Sequence, residues 1–508
     1  MIPLETEFGR KRAINQSACN KDFSCIDGFC PSFVTLEGVK PRRPSSGIDS
    51  MPELAAPIRV ESSPCNVLIA GVGGTGVGTA ASILGMAAHL EGRRVMALDQ
   101  TGLAQKFGAV VSHVRIGESA ANLRCAQIPA GKVDLLLGAD LVVASGQDVL
   151  ARLDADRTRV VVNTHEEMPA AFIQNPDYEF VESTMLAALA KATRSSDPVV
   201  VDATGLATAL LGDAIAANLF LLGAAFQRGL LPVSEGAIIR AIELNRVAVE
   251  QNVHAFTWGR HAVLDPAEVR RRAGPAGEPE RLSSTLDEIV ESRAAFLASY
   301  QNAALARRYR ERVDRIRRAE RGIRRGSTGL TETVARQYFK LLAYKDEYEV
   351  ARLFVRTGFL SETREKFDGS ARLTFHLSPP LIARTDPATG RPRKYAVGAW
   401  ILPLFGLLAR LKWLRGTPLD VFGYSRERRA ERRLIVEYET VLSRIVAELD
   451  ESRLDLAVEL AGLPERIRGY GPVKAASIER VKVLENGLLR AWAARMPIPG
   501  DRPHSEAA

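Results

Sequence analysis

Cysteine is scarce in this sequence, with five residues in 508. Secreted disulfide frameworks are far denser, so that class is excluded. Long apolar runs are also missing. The most apolar stretch, Ala396 to Ala409, is about fourteen residues long, whereas a membrane-crossing helix needs about 20. Pro403 and Gly406 interrupt it, and it reads as a buried or surface-packed helix. Met1 to Arg12 is charged and has no apolar core, so no signal peptide is read there. No internal repeat is found, and no GxSxG elbow, P-loop or HExxH motif. Neither charge sign dominates: Lys plus Arg number 68 and Asp plus Glu 60, a net charge of +8. A mild excess of this kind names no partner by itself. The default expectation is a protein of the reducing cytoplasm with no membrane partner.

What is present is ordinary globular composition, 46% hydrophobic and 25% charged. Wholly disordered and fibrous readings fall away. A chain of this length divides into roughly two to four domains. The predicted division is 1–43, a cysteine-bearing segment; 44–65, a linker rich in proline; 66–265, an α/β domain; and 266–500, a mainly helical domain.

The α/β reading rests on alternation. Short apolar runs at Val67 to Ala70, Val95 to Leu98, Asp134 to Leu137, Leu141 to Ala144, Val160 to Val162 and Val199 to Val201 predict strands. Ala109 to Ile116 alternates like a half-exposed strand. Helices are predicted at Gly76 to Leu90, Asp148 to Leu153, Thr184 to Thr193 and Thr208 to Gln227, and from an N-cap at Ser234 to about Val253. The expected fold is a doubly wound, Rossmann-like, mostly parallel sheet. Beyond Pro266, helical spacing begins at Leu286, and long helices are predicted at Thr331 to Thr357 and Glu427 to Leu449. Arg372 to Arg384 looks extended.

Three of the five cysteines crowd the start: Cys19, Cys25 and Cys30, the last followed by Pro31. Thiolates close in sequence can wrap a metal, and soft sulfur ligands select zinc or iron–sulfur centres. Bacterial ferredoxins space their cysteines more tightly but share the closing Cys-Pro. Zinc is less attractive, because no Cys-x2-Cys knuckle is present and the first histidine is His89. Three plain thiols in a polar loop is the bland alternative. Cys65 and Cys125 read as structural.

The second feature is Gly71-Val-Gly73-Gly74-Thr-Gly76, placed after a strand and before a helix. Glycines there permit a tight turn and close approach of backbone to a phosphate. Asp99 stands about 23 residues on, near where an NAD-binding acid belongs. An NAD(P)-dependent oxidoreductase built on Gly71 to Asp99 is therefore one reading; glycines that merely let a helix pack closely are the other. His113 and His165 are isolated histidines, more often structural than catalytic. His165 follows a strand, where a loop faces the usual ligand crevice. Ten arginines between Arg307 and Arg325 crowd one region, but Glu311, Asp314 and Glu320 are mixed in. A solvated helix face fits better than a nucleic-acid surface or a scaffold's binding helix, so nucleic acid is not expected as a partner.

Three passages together resemble one family, the long fused indolepyruvate ferredoxin oxidoreductases among the 2-oxoacid:ferredoxin oxidoreductases. Pro3 to Ala13, continuing through Cys19, Cys25 and Cys30-Pro31, is similar to the second half of the family's ferredoxin-like segment. Gly71 to Gly76, with Gln105 to Ile116 and Asn163-Thr-His165, is similar to its gamma-type domain. Tyr344 to Leu353, Phe375 to Pro380 and Arg468 to Lys474 are similar to its C-terminal domain. The resemblance implies oxidative decarboxylation of an arylpyruvate with coenzyme A, with electrons passed through iron–sulfur clusters to ferredoxin. It implies thiamine diphosphate for the carbanion chemistry, held by domains that would precede Met1 or by another subunit. The chain then reads as the rear portion of that enzyme. Cys19, Cys25 and Cys30 become ligands of a 4Fe-4S cluster whose set is incomplete in this chain. Gly71, Gly73, Gly74 and Gly76 become a cofactor or interface loop. No catalytic residue is assigned.

Overall fold

Apolar residues that run unbroken for a strand's length belong between two covering layers, and Val67 to Ala70 is such a run. The computed structural model describes residues 2–16, 19, 21–28, 32–42, 47–59, 63–102, 108–119, 121, 123–169, 172, 175, 177–193, 198–274, 282–378 and 393–494. They fall into two units, Met1–Asn20 with Arg43–Glu280, and Lys21–Arg42 with Arg281–Ala508.

The first unit opens on a small antiparallel hairpin, β1 (Ile2–Leu4) with β2 (Lys11–Ala13). Strands β3 (Ser32–Glu37) and β4 (Lys40–Pro41) belong to the second unit. The main sheet holds β5 (Cys65–Val72), β6 (Arg94–Thr101), β7 (Ala109–Gly117), β8 (Leu135–Gly138), β9 (Arg159–Asn163) and β10 (Val199–Val201). Their order is β10-β9-β8-β5-β7-β6, parallel from β10 to β5, with β7 antiparallel to both of its neighbours. The mostly parallel α/β fold expected from the sequence is the fold observed.

Side-chain alternation in β5 feeds both layers. Val67 and Ile69 join the core with α1 (Val77–Leu90), while Leu68 and Ala70 join the opposite core. That opposite layer contains α2 (Leu141–Ala144), α3 (Gln147–Leu150) and α4 (Glu182–Ala192). The α1 layer also contains α5 (Ala203–Leu211), α6 (Ala217–Gln227), α7 (Glu235–Asn245) and α8 (Val249–Leu264), followed by α9 (Pro266–Ala273). All residues of α6 from Ala217 to Phe226 are buried, so it is a central rather than an amphipathic helix.

Several boundaries differ from the sequence reading. Leu141 to Ala144 is a helix, not a strand: the Asp140 carboxylate accepts from Val143 N–H at 2.8 Å and caps it. Thr208 to Gln227 is broken, because Gly212 closes α5 in the left-handed conformation (φ 75°). Ser234 does cap α7, but that helix stops at Asn245, and Arg246 and Ala248 both take positive φ before α8 begins. β7 is not half-exposed. Ser112 to Ile116 are all buried, because the strand sits inside the sheet rather than at its rim.

The second unit is mainly helical: α10 (Leu286–Tyr300), α11 (Ala303–Ile323), α12 (Gly329–Leu342), α13 (Glu347–Arg356), α14 (Phe359–Lys366), α15 (Leu402–Arg410), α16 (Arg426–Glu448), α17 (Leu454–Gly462) and α18 (Gly471–Ala494). It also holds β11 (Phe367–Asp368), β12 (Arg372–Leu377) and β13 (Tyr395–Gly398). Strand β12 pairs antiparallel with both β13 and β3, and β11 pairs with β4. The single helix expected over Thr331 to Thr357 is two, because Asp346 caps a new start at α13. Ala396 to Ala409 divides between β13 and α15, whose Phe405 packs on Phe354 and Phe375. Among the described residues no helix is long and apolar enough to cross a membrane.

Candidate functional site

Strands β5, β8, β9 and β10 point the same way, so their carboxyl ends share one edge of the sheet. From β5 the chain crosses to β6 on one side, whereas the strands from β8 onward lie on the other. Open α/β sheets bind ligands at such a switch point. A crevice of about 250 Å³ lies there, inside the first unit. Val72 to Thr75 line it after β5, Ala139 and Asp140 after β8, and Asn163, His165 and Glu167 after β9. Thr204 of α5, Asn218 of α6, and Asn15 and Cys19 of the N-terminal segment add polar groups to the wall, and Ala214, Ile215 and Ala217 add apolar ones.

The four glycines do different jobs. At Gly71 a Cβ would stand 2.7 Å from Val77 Cγ2 and 2.9 Å from Ala139 Cβ, so its bareness serves packing of α1 on the sheet. Gly73 donates its N–H to Gly108 O at 2.8 Å, and Gly73 and Gly74 both line the crevice. Gly74 (φ 88°) and Gly76 (φ 97°) sit where only glycine is unstrained, and Gly76 is the N-cap of α1. From beneath, Asn218 Nδ2 donates to Thr75 O at 2.8 Å and holds the turn.

Asn163 organises the facing wall. Its Nδ2 donates to Ala139 O (3.0 Å) and Thr204 Oγ1 (2.8 Å). Its Oδ1 accepts from the backbone N–H of Ala203 (3.0 Å) and His165 (3.2 Å). One buried amide therefore ties the ends of β8 and β9 to the start of α5. His165 Nδ1 lies 3.2 Å from Asp202 Oδ1, the carboxylate that also caps α5 through Gly205 N–H. The hydrogen bond to Asp202, with Glu167 and Glu166 nearby, raises the His165 pKa above 6.5 against the opposing effect of burial. Burial pushes Asp202 upward, but hydrogen bonds from His165 and Gly205 prevail and hold its carboxyl below the usual range. Burial raises the pKa of Asp140. Sequence reasoning singled out the glycines and His165 but not Asp140, Asp202, Thr204 or Asn218. The available signal was an aspartate directly after an apolar run, at the position of a helix cap.

The other sequence candidates resolve differently. Asp99 accepts from Ser112 Oγ at 2.5 Å. Its strand is not beside β5; antiparallel β7 takes the place that the second parallel strand holds in the dinucleotide fold. His113 is fully buried: its Nδ1 accepts from Ile128 N–H at 3.2 Å, leaving Nε2 to donate to Gln100 Oε1 at 3.1 Å. It is a structural histidine. Burial, with Arg152 nearby, lowers its pKa to about 4. Unfolded chains protonate near 6.5, so as the pH falls from 6.5 towards 4 only the unfolded state gains this proton, and stability is lost. Between pH 7 and pH 4.5 the wild type should lose about 2 kcal/mol more than His113→Gln. Denaturant unfolding at the two pH values measures this; equal losses would refute it.

Of the three clustered cysteines, Cys19 lines the crevice of the first unit. Cys25 lies in a short 3-10 turn, Ser24–Asp27, of the second unit, and Cys30 lies outside the described residues. Among the described residues no three His, Cys, Asp or Glu side chains form a metal-holding group. Two described thiols are too few for a four-thiolate cluster. The arginine-rich stretch is α11 and the turn after it. Arg308 pairs with Glu439, Arg310 with Glu291 and Arg317 with Asp287, each at 2.7 Å, as a solvated and paired helix face does.

Comparison with known proteins assigns the two halves differently. Residues 66–262 match the family described as pyruvate ferredoxin/flavodoxin oxidoreductase. Residues 286–486 match a "Family of unknown function (DUF6537)". The chain is 29% identical over 203 residues to indolepyruvate oxidoreductase subunit IorB of Pyrococcus horikoshii, covering 39% of this chain and 96% of that protein. The same subunit of Thermococcus kodakarensis is 28% identical over 203 residues, with the same coverage. Among solved structures, pyruvate oxidoreductase subunit PORC of Thermotoga maritima is 22% identical, with 39% of this chain and 97% of that chain covered and a TM-score of 0.28.

Proposed function

We propose, from the match of residues 66–262 to the pyruvate ferredoxin/flavodoxin oxidoreductase family, that this chain is a component of an indolepyruvate-type 2-oxoacid:ferredoxin oxidoreductase. The reaction joins an arylpyruvate and coenzyme A to give an arylacetyl-CoA, carbon dioxide, one proton and two electrons for ferredoxin. The observation that carries this reading is the similarity to two indolepyruvate oxidoreductase subunits over 96% of their length.

Coenzyme A is the ligand we assign to the crevice. Its phosphates suit a glycine-rich turn at the start of α1, and the wall from Asn163 to Thr204 supplies polar groups beside it. Thiamine diphosphate supplies the carbanion chemistry and belongs to partner domains or a partner subunit. Within this chain, Asn218 and Gly76 hold the turn open, and Asn163 fixes the facing loop. Cys19, Cys25 and Cys30 are proposed as part of a 4Fe-4S ligand set that other cysteines complete, and ferredoxin as the electron acceptor.

The test is anaerobic co-purification with the thiamine-binding partner and an arylpyruvate. Ferredoxin reduction that requires coenzyme A is expected. Cys19→Ser, Cys25→Ser and Cys30→Ser should each remove about four iron atoms per complex. Reduction of NAD(P) in place of ferredoxin would overturn the reading, and a complex without iron would remove the cluster ligands.

A further inference from the structure

Helix α15 of the second unit is apolar on two sides. A 3-10 turn, Ala399–Ile401, leads directly into it, and a second, Leu411–Leu414, continues from it. Ile401, Phe405 and Ala409 form the inner side, buried in one core with Phe354 and Phe375. Trp400, Leu404 and Leu407 recur at spacings of four and three, which sets them in a second stripe on the outer side. Trp400 is 74% exposed, and Leu404, Leu407 and Trp413 are each about half exposed. A helix that is apolar all round is ordinarily covered all round, and this one is covered on the inner side alone. From Ala396 to Ala409 the single side chain able to hydrogen-bond is the Trp400 indole. No charged residue occurs from Tyr395 to Ala409, and those just beyond both ends are cations: Arg393 and Lys394 before, Arg410 and Lys412 after. The next carboxylate along the chain, Asp420, is buried and accepts from Tyr348, Gly416 and Gly423. Arg356 of α13 stands at the Lys412 end, where burial first, then Arg352, Arg356 and Arg415, lowers the Lys412 pKa. Arg352 and Arg415 are neutralised by Glu349 and Asp346. Arg356, Arg393 and Arg410 are exposed, and among the described residues they form no ion pair.

We propose that the outer side of the Trp400 to Trp413 segment is a surface that seats on an anionic lipid bilayer. Apolar side chains between two tryptophans, with cations outside both, form the pattern by which a helix lies in the plane of a bilayer surface. Leu404 and Leu407 supply the apolar contact, Trp400 and Trp413 suit the headgroup level, and Arg356, Arg393 and Arg410 complement anionic headgroups. Two other occupants match this surface less well. A protein interface carries about one hydrogen bond per 100–200 Å², and the stripe offers only indole N–H groups. A second copy of this chain, packed about a two-fold axis, would set cationic ends against cationic ends. The segment lies on the bilayer rather than across it, so the lack of a spanning helix among the described residues does not bear on it. It belongs to the second unit and acts whatever the crevice of the first unit binds.

The experiment titrates the full chain with vesicles of phosphatidylcholine alone and of phosphatidylcholine with phosphatidylglycerol in equal parts, read by flotation and by tryptophan emission. Trp258 and Trp492 are fully buried, so a blue shift on binding reports Trp400 and Trp413. Affinity for the mixed vesicles should be at least about tenfold higher, and that preference should shrink as salt is added. Leu404→Ser with Leu407→Ser should weaken binding at least about tenfold, with thermal unfolding unchanged because both side chains face solvent. Arg356→Gln with Arg410→Gln should reduce the preference for the anionic vesicles several-fold. No flotation with the mixed vesicles, equal binding to both kinds, or full binding by the double serine variant would each overturn the proposal. Flotation without a blue shift would overturn it too, because another part of the chain would then be in contact. A wild type that ignores vesicles but self-associates, or holds the thiamine-binding partner, through Leu404 and Leu407 would assign the stripe to a protein and overturn the lipid surface.

Discussion

Asp346→Ala is expected to destabilise the second unit by roughly 3–5 kcal/mol. Both oxygens of Asp346 accept from Arg415, at 2.5 and 2.8 Å, and each side chain of the pair is only 3% exposed. Asp346 also caps α13 through Glu349 N–H at 2.9 Å. Arg415 is further held by Tyr300 O at 2.9 Å, and its guanidinium lies 3.7 Å from the centroid of the Tyr300 ring. Alanine would leave a buried guanidinium without its counter-charge and α13 without its cap. Most of the loss comes from the stranded charge rather than from the worth of the pair, which leads to a second expectation. Adding Arg415→Met to Asp346→Ala should recover part of the loss, because an apolar side chain no longer needs the carboxylate. Denaturant unfolding of the three variants measures this. A double variant no more stable than Asp346→Ala would refute the stranded-charge account.

The same pair shows why the helical half was only partly legible. The spacing of Leu286, Ile289, Val290 and Leu297 identifies α10 without any structure. Nothing local marks Asp346 as the partner of Arg415, 69 residues away. Likewise the capping role of Asp346, which splits one expected helix into two, is visible only once the geometry of the break is known. In the first unit the apolar runs placed five of the six main strands: β5, β8 and β9 are buried on both faces and need no alternation to stand out, whereas β6 and β10, at the two edges of the sheet, showed only as short apolar runs. Leu141 to Ala144 misled for the same reason: four apolar residues after a strand read as another strand, and the cap that makes them helical is a single aspartate. The glycine turn was legible as a turn. Its division of labour was not, since only the packing of Val77 and Ala139 on Gly71 separates a structural glycine from the crevice glycines. The catalogue of crevice residues was hardest, because Asp140, Asn163, Thr204 and Asn218 meet through strand order rather than through sequence spacing. Asp99 illustrates the converse. Its distance from Gly76 suits a dinucleotide site, yet the insertion of β7 moves its strand one place away from β5.

Gly259→Ala should be the most damaging single methyl in the first unit. A Cβ at Gly259 would stand 1.8 Å from Phe220 O, and one at Gly223 would stand 1.9 Å from Phe256 O. Helices α6 and α8 therefore meet backbone to backbone at two reciprocal points, and neither obstacle is a flexible side chain that can swing aside. Helix propensity favours alanine by about 1 kcal/mol, so any net loss is a lower bound on the packing clash. A cost of roughly 3 kcal/mol or more is expected, at the upper end for overpacked sites. Gly236 on α7 is the control: it is exposed, and a Cβ there meets nothing within 4 Å. Gly236→Ala should stabilise by up to about 1 kcal/mol, so one substitution type is expected to change sign within one domain. The clash also reaches the crevice. Moving α6 displaces Asn218, whose amide holds Thr75 O and with it the glycine-rich turn. Gly259→Ala should therefore weaken crevice binding at temperatures where the domain remains folded, and Gly236→Ala should leave it unchanged. Thermal unfolding and ligand titration on the two variants test both halves of the expectation. A Gly259→Ala protein as stable as wild type would mean that α6 and α8 do not approach as closely as their glycines require.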